Sequence, residues 1–221
     1  MSVNGIESIE YGVRDVAECE RFFVDFGLDE PTSQDDGSVN FVLPDATRNV
    51  VREQHDPQLP THWYDGVGVR LITLGVDDHR TLDEMTSSLP PEAEAATASD
   101  GTTRFTDPDG IAFALKVFQR EPVACEPEAL NAPGYVGRLN RSRHWYERAQ
   151  PRGIQHVVLR VEDPARSFGW LQRHLGLQLT DVSRGLGLFG RFPGSNDHHN
   201  LFLMQANVRP GTPPGWDHVC L

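Results

Sequence analysis

Two short stretches place a histidine in the same local frame. Gly-Ile-Gln-His-Val-Val-Leu (153–159) carries His156, and Gly-Trp-Asp-His-Val-Cys-Leu (215–221) carries His218. A third stretch, Gly-Ser-Asn-Asp-His-His-Asn (194–200), carries His198 and His199. Imidazole ligates Fe, Zn, Ni and Cu, and it gains or loses a proton near neutral pH. Two histidines brought together can therefore share a metal ion, and a third beside them can act as an acid–base group. Most histidines do neither. The chain has nine, and His55, His62, His79, His144 and His174 have no constellation around them. What separates His156 and His218 from these is an internal comparison, and it depends on the elements that carry them.

Those elements recur. Ile-Glu-Ser-Ile-Glu-Tyr-Gly-Val-Arg-Asp from Ile6 and Ile-Gln-His-Val-Val-Leu-Arg-Val-Glu-Asp from Ile154 are both alternating apolar strands that run into Val-x-Asp. Asp15 and Asp163 are placed as N-caps of amphipathic helices that stop at Gly27-Leu28 and Gly176-Leu177. Phe22, Phe23 and Phe26, like Phe168, Leu171 and Leu175, supply an apolar stripe at helical spacing and are expected in the core. A third start precedes Val76-Asp77-Asp78, and its unit closes through an Asp-Pro-Asp-Gly turn (107–110) between two strands. The stretch from Gly215 begins a fourth. Units restarting at roughly 60-residue spacing fit a βαβββ module, too small to bury its sheet alone.

The expected architecture is α+β, with tandem βαβββ modules paired into two domains, the second incomplete. Modules one and two would form residues 1–119. Residues 120–152, rich in Pro, Gly and charge and including Arg138, Arg141, Arg143, Arg148 and Arg152, read as a linker. Residues 153–221 would hold module three and the start of module four.

Aligning the first three starts through Val-x-Asp, and the fourth through its likeness to the third, shows what each places at the histidine position. Module one has Ser8, module two Leu71, module three His156 and module four His218. The same slot is non-ligating twice and histidine twice, which favours a shared metal in the back half. For the adjacent pair, alternation along a strand puts His199 with Leu201 and Leu203 on one face and His198 with Asn200, Phe202 and Met204 on the other. One imidazole of that pair would face the site.

Composition bounds the rest. The net charge of −12 is uneven: residues 1–130 hold 9 Lys/Arg against 26 Asp/Glu, and residues 131–221 hold 11 Arg against 6 Asp/Glu. An acidic front half argues against a nucleic-acid partner. No apolar run is long enough to span a membrane and the N-terminus lacks a signal peptide's pattern, so no membrane partner is expected. Cys19, Cys125 and Cys220 form neither a disulfide framework nor a CxxC knuckle, which fits a cytoplasmic location.

These features together resemble the type I extradiol ring-cleavage dioxygenases, of the catechol 2,3-dioxygenase and dihydroxybiphenyl dioxygenase type, in the vicinal oxygen chelate superfamily. The specific matches are Gly-Ile-Gln-His-Val-Val-Leu-Arg-Val-Glu-Asp-Pro, Asp-His-His-Asn-Leu-Phe-Leu-Met and Gly-Trp-Asp-His-Val; Thr-Asp-Pro-Asp-Gly-Ile-Ala-Phe-Ala-Leu is typical of the whole superfamily. The resemblance implies that His156 and His218 are two ligands of a 2-His-1-carboxylate site for Fe(II), or Mn(II). It implies that His199 is the acid–base residue contacting substrate, and that the substrates are an aromatic diol and O₂. It also implies a homo-oligomer for the full-length form. Phe189, Phe192 and Trp216 are candidates to shape an aromatic pocket. The carboxylate ligand is expected on the closing strand of module four, where module two has Ala114; that strand would lie beyond Leu221, so the sequence reads as C-terminally truncated. Alternatives are a glyoxalase-like protein, a metal-free small-molecule binder using the same fold, and a 4-hydroxyphenylpyruvate-dioxygenase-like enzyme.

Overall fold

The computed structural model describes residues 2–61, 67–124, 131–137, 147–208 and 210–221. His62, Cys125, Arg138, Arg141, Arg143 and His144 lie outside the described residues.

The front half runs β1 (Val3–Val13), α1 (Val16–Phe26), β2 (Thr32–Ser33), β3 (Val39–Val42), β4 (Arg48–Glu53), then β5 (Gly68–Val76), α2 (His79–Ser88), β6 (Ala96–Thr97), β7 (Thr103–Thr106) and β8 (Ala112–Val117). A short hairpin of β9 (Asn131–Ala132) and β10 (Tyr135–Val136) follows. The back half is β11 (His156–Val161), α3 (Pro164–Leu175), β12 (Gln178–Ser183), β13 (Gly187–Arg191), β14 (Leu201–Gln205) and β15 (Gly215–Cys220).

Aspartate caps start all three α-helices of the described residues. Asp15 accepts the Glu18 N–H, Asp78 that of Thr81, and Asp163 those of Ala165 and Arg166. Gly27 and Gly176 end α1 and α3 at φ of +131° and +72°, a region open to glycine at little cost. In α3 the expected stripe is buried as Phe168, Leu171 and Leu175. In α1 it is narrower than expected. Only Phe23 is buried, while Phe22 is 60% and Phe26 44% exposed. Val16 and Cys19 share the Phe23 side, whereas Phe22 and Phe26 stand at the helix flank and stack on each other, rings 6.2 Å apart.

Strand order ties the two halves together as variations of one plan. The front sheet is β2-β3-β4-β1-β5-β8-β7-β6 and the back sheet is β12-β13-β14-β11-β15. In both, the strand before the helix runs parallel to the last strand of its module (β1 with β4, β11 with β14) and antiparallel to the first strand of the next (β1 with β5, β11 with β15). β15 therefore occupies the place in the back sheet that β5 occupies in the front. Apolar side chains from both halves merge into one buried cluster, including Ile6, Ile72, Phe113, Val157, Leu159 and Phe192. Across the seam, Arg166 and Ser167 at the start of α3 both bind Asp109, and Trp170 packs against Phe105.

Candidate functional site

The strand register makes the slot comparison a spatial one. On β11 and β15, His156 lies opposite Cys220 and Val158 opposite His218. On β1 and β5, Ser8 lies opposite Thr73 and Glu10 opposite Leu71. His156 and Ser8 thus hold one register position, and His218 and Leu71 the other. Residues two apart on neighbouring strands share a face, and here their rings meet edge to face with centroids 5.6 Å apart. His156 is half-buried and His218 exposed.

His199 joins them from a segment outside the ladder. Its ring lies 4.3 Å from that of His156 and 4.9 Å from that of Phe189, which stacks on Phe202 at 4.0 Å. The alternation expected from sequence fails at this point. Leu201 and Leu203 point into the main core, while His199 sits with the Phe189–Phe202 side. The reason is that β14 begins only at Leu201, and the residues before it are shaped by buried Asn200. The Asn200 amide accepts the Phe192 N–H at 3.0 Å and donates to Ser195 Oγ, Asp197 Oδ2 and the Gln155 carbonyl. His198 is exposed, with its Nδ1 3.0 Å from that of His199.

The three aromatic candidates separate. Phe189 stands beside His199. Phe192 is fully buried in the core, and its backbone N–H donates to the Asn200 side-chain carbonyl. Trp216 turns to the seam, where its Nε1–H donates to the Val67 carbonyl at 3.3 Å and its indole covers Gly68.

Burial, reinforced by the nearby His199 and His218, pushes His156 down to about 4. Burial, then His198, lowers His199 as well. Neutral imidazoles keep a lone pair for a ligand or a proton. The hydrogen bond to His218, with Arg160 beyond it, holds Asp217 below the usual carboxylate range. That bond, Nδ1 to Oδ2 at 2.9 Å, leaves Nε2 of His218 as the free ring nitrogen.

Whether these residues suit a metal ion can be tested on the geometry. With a metal–nitrogen bond of about 2.1 Å, two imidazoles on one ion hold their centroids roughly 4.5–5 Å apart. The His156–His218 separation needs only a small closure to meet this. Among the described residues, however, no group of three His, Cys, Asp or Glu side chains converges as a metal site. The imidazole pair could supply two positions after that closure; among the described residues no carboxylate third ligand is found with it. The front slots differ in kind. Around Ser8 and Leu71 lies a cavity of about 610 Å³ bordered by ion pairs, Glu7 with Arg48 and Arg52 with Asp36, Asp56 and Glu10.

Asn200, Asp197 and Asp217 were not singled out from sequence. The Asp-His-His-Asn and Asp-His runs held the signal, since short polar side chains beside a candidate ligand are natural hydrogen-bonding supports.

A helix-backed βαβββ module repeated along the chain, with strands paired as described, defines the vicinal oxygen chelate fold. Residues 153–221 match the family model described as Glyoxalase/Bleomycin resistance protein/Dioxygenase superfamily. Metapyrocatechase 2 of Cupriavidus necator is 33% identical over 118 residues, which are 52% of this chain but only 35% of that protein. Among solved structures, a Mn(II)-bound glyoxalase from Novosphingobium aromaticivorans superposes with a TM-score of 0.69 at 21% identity, over 99% of this chain and 65% of that one. The 2,3-dioxygenase LapB from Pseudomonas sp. KL28 gives 0.66 at 18% identity, over 99% and 74%. These structural likenesses establish the fold. No helix among the described residues is long and apolar enough to cross a membrane.

Proposed function

We propose that the back half carries the histidines of an extradiol-dioxygenase-type centre, acting on a catechol-type diol and O₂. The observation that carries this reading is the ring cluster of His156, His218 and His199, in which His156 and His218 take the registers that Ser8 and Leu71 hold in the front half. The kinship with a metapyrocatechase supports the substrate class.

In this reading His156 and His218 hold Fe(II), or Mn(II), through their ring nitrogens. The metal, when bound, would draw diol and O₂ into adjacent positions and acidify the bound hydroxyl. His199 stands next to His156 without joining the pair, as a group that takes up and returns the substrate's hydroxyl proton. Its neutral form, favoured by burial, is the form that can accept one. Phe189, edge-on to His199, offers an apolar wall against which an aromatic ring can lie.

The test is anaerobic loading of the 221-residue chain with Fe(II), followed by catechol and O₂, with the yellow ring-fission product as readout. Metal binding that depends on His156 and His218 supports the ligand assignment even where turnover is slow. Unchanged binding in both His→Ala variants would overturn it.

A further inference from the structure

His156 and His199 are approached by two segments that lie outside the strands, 152–155 before β11 and 192–200 before β14, which join the neighbouring strands only at their ends, Gln155 to Cys220 and Asn200 to Gly190. Backbone in such segments needs hydrogen-bonding partners from elsewhere, and here many come from the front half. The Ile154 N–H donates to Thr47 Oγ1 at 3.0 Å, the Asp45 N–H to the Arg152 carbonyl at 3.1 Å, and the Gly194 N–H to the Val3 carbonyl at 3.0 Å. The contact is close: a Cβ on Gly153 would lie 2.0 Å from Asp45 Oδ2.

One side chain touches both segments. Arg120, just past β8, donates from Nη2 to the Ile154 carbonyl at 2.5 Å, and its Nη1 lies 3.6 Å from Asp197 Oδ2. Its Nε lies 3.5 Å from Asp45 Oδ2. Ile154 is two residues before His156, and Asp197 is two before His199. Asp197 Oδ2 also faces Asn200 Nδ2 at 3.1 Å, and Asn200 reaches on to the Gln155 carbonyl, closing a loop of contacts around both histidines. The planar guanidinium suits this, since it presents donors and charge in several directions at once: Nη2 makes the hydrogen bond, while Nε and Nη1 face the two carboxylates as ion pairs. It also sits between two carboxylates, Asp45 and Asp197, that would otherwise repel.

We propose that Arg120 is a positioning residue for the histidine cluster, and that the front half acts through it to fix the spacing of His156 and His199. The proposal rests on the centre assigned above. The competing account is that Arg120 only docks the halves, as Arg166 does. Arg166 is the control, because its partner Asp109 lies in the β7–β8 turn, on neither histidine-bearing segment.

The experiment compares Arg120→Gln, Arg120→Lys and Arg166→Gln in the full 221-residue chain. The readouts are the nuclear Overhauser cross-peak between the His156 and His199 rings and the affinity for Co(II). Expected for R120Q is loss of the cross-peak and Co(II) binding about tenfold weaker, the low end of what supporting partners contribute. R120K should recover part of both. R166Q should lower the unfolding midpoint and leave both readouts in place. A folded R120Q with an intact cross-peak, or an R166Q with equal losses, overturns the proposal. If R120Q does not fold, Asp197→Asn, which can still accept from Ser195 and Asn200 but lacks the charge, gives the same readout. If the wild-type chain shows the cross-peak but binds no Co(II), the metal assignment fails while the positioning claim is still decided by the cross-peak.

Discussion

His156 and His218 sit on neighbouring antiparallel strands with ring centroids 5.6 Å apart, at the registers that Ser8 and Leu71 hold in the front sheet. In the proposed reading the three clustered histidines differ in role. His156→Ala and His218→Ala should each weaken Co(II) binding by more than about tenfold, since one of two imidazole bonds is lost. His199→Asn should leave that affinity nearly unchanged. In an active metal-loaded preparation it should lower the rate about 10²-fold or more, the usual contribution of a positioned acid–base group. A Co(II) titration and a ring-fission assay on the same three variants check the division.

No described carboxylate converges on the pair, and Asp217 is engaged by Arg160 and by the far nitrogen of His218. A metal held by two neutral imidazoles lacks a compensating anion. Added formate should therefore tighten Co(II) binding to the chain severalfold, whereas chloride at equal ionic strength should not. Titrations at matched salt separate coordination from screening. Identical affinities in the two buffers would show that an anionic ligand is already supplied.

Asp107, in the turn before β8, gives the seam a pH dependence. Burial pushes its carboxyl up to about 7, with Asp109 adding to the shift, while two backbone N–H groups and Arg166 oppose it. The folded state thus holds this proton more tightly than the unfolded chain. The stability it lends is fully present below the unfolded value and is lost as pH rises through about 7. Asp107→Asn retains an acceptor for the Asp109 and Ile111 N–H groups without the charge. Its stability relative to wild type should rise between pH 5 and pH 8, by more than about 1 kcal/mol. Asp107→Ala, which strands both donors, should be destabilised by about 1–3 kcal/mol at pH 5. Denaturant unfolding of the three proteins at both pH values decides it.

The α1 stripe offers a direct contrast. Phe23 is buried against Tyr11 and Phe41, whose rings lie 5.7 and 5.2 Å away. Phe23→Ala should cost about 3–5 kcal/mol. Phe22→Ala, at an exposed flank position, should cost less than about 1 kcal/mol. Chemical denaturation midpoints give the comparison, and equal losses would mean that the flank is covered in solution.

That contrast marks how far the sequence reading reaches. The aspartate caps, the glycine stops and the module plan follow from local rules, because each depends on residues a few positions apart. The registers of Ser8, Leu71 and His156 could be matched through Val-x-Asp, and that of His218 through the shared Gly-x-x-His-Val frame, because counting along a strand preserves its face. The face of His199 could not be read so, since buried Asn200 ends the alternation one residue before β14. The surroundings of Phe192 and Trp216 could not be read for a related reason. Aromatic character announces burial but not against what, and their partners, the shared core and the start of β5, are remote in sequence. Arg120 left no local signal at all, as its partners lie at Asp45, Ile154 and Asp197.

Gly68 and Trp216 close the seam at the start of β5 and β15. Gly68 has φ of +135°, and a Cβ there would lie 1.7 Å from the indole Nε1. Gly68→Ala thus combines backbone strain with a clash against a ring that also bonds to the Val67 carbonyl at 3.3 Å. It should destabilise the chain by more than about 2 kcal/mol and move the indole, shifting its fluorescence to the red as water reaches it. Because Trp216 is two residues from His218, the same variant should also weaken Co(II) binding. Trp216→Phe removes the hydrogen bond but keeps a ring over Gly68, so it should cost only about 1 kcal/mol and spare the metal site. If G68A melts with the wild type and keeps its emission maximum, the indole does not rest on this glycine in solution.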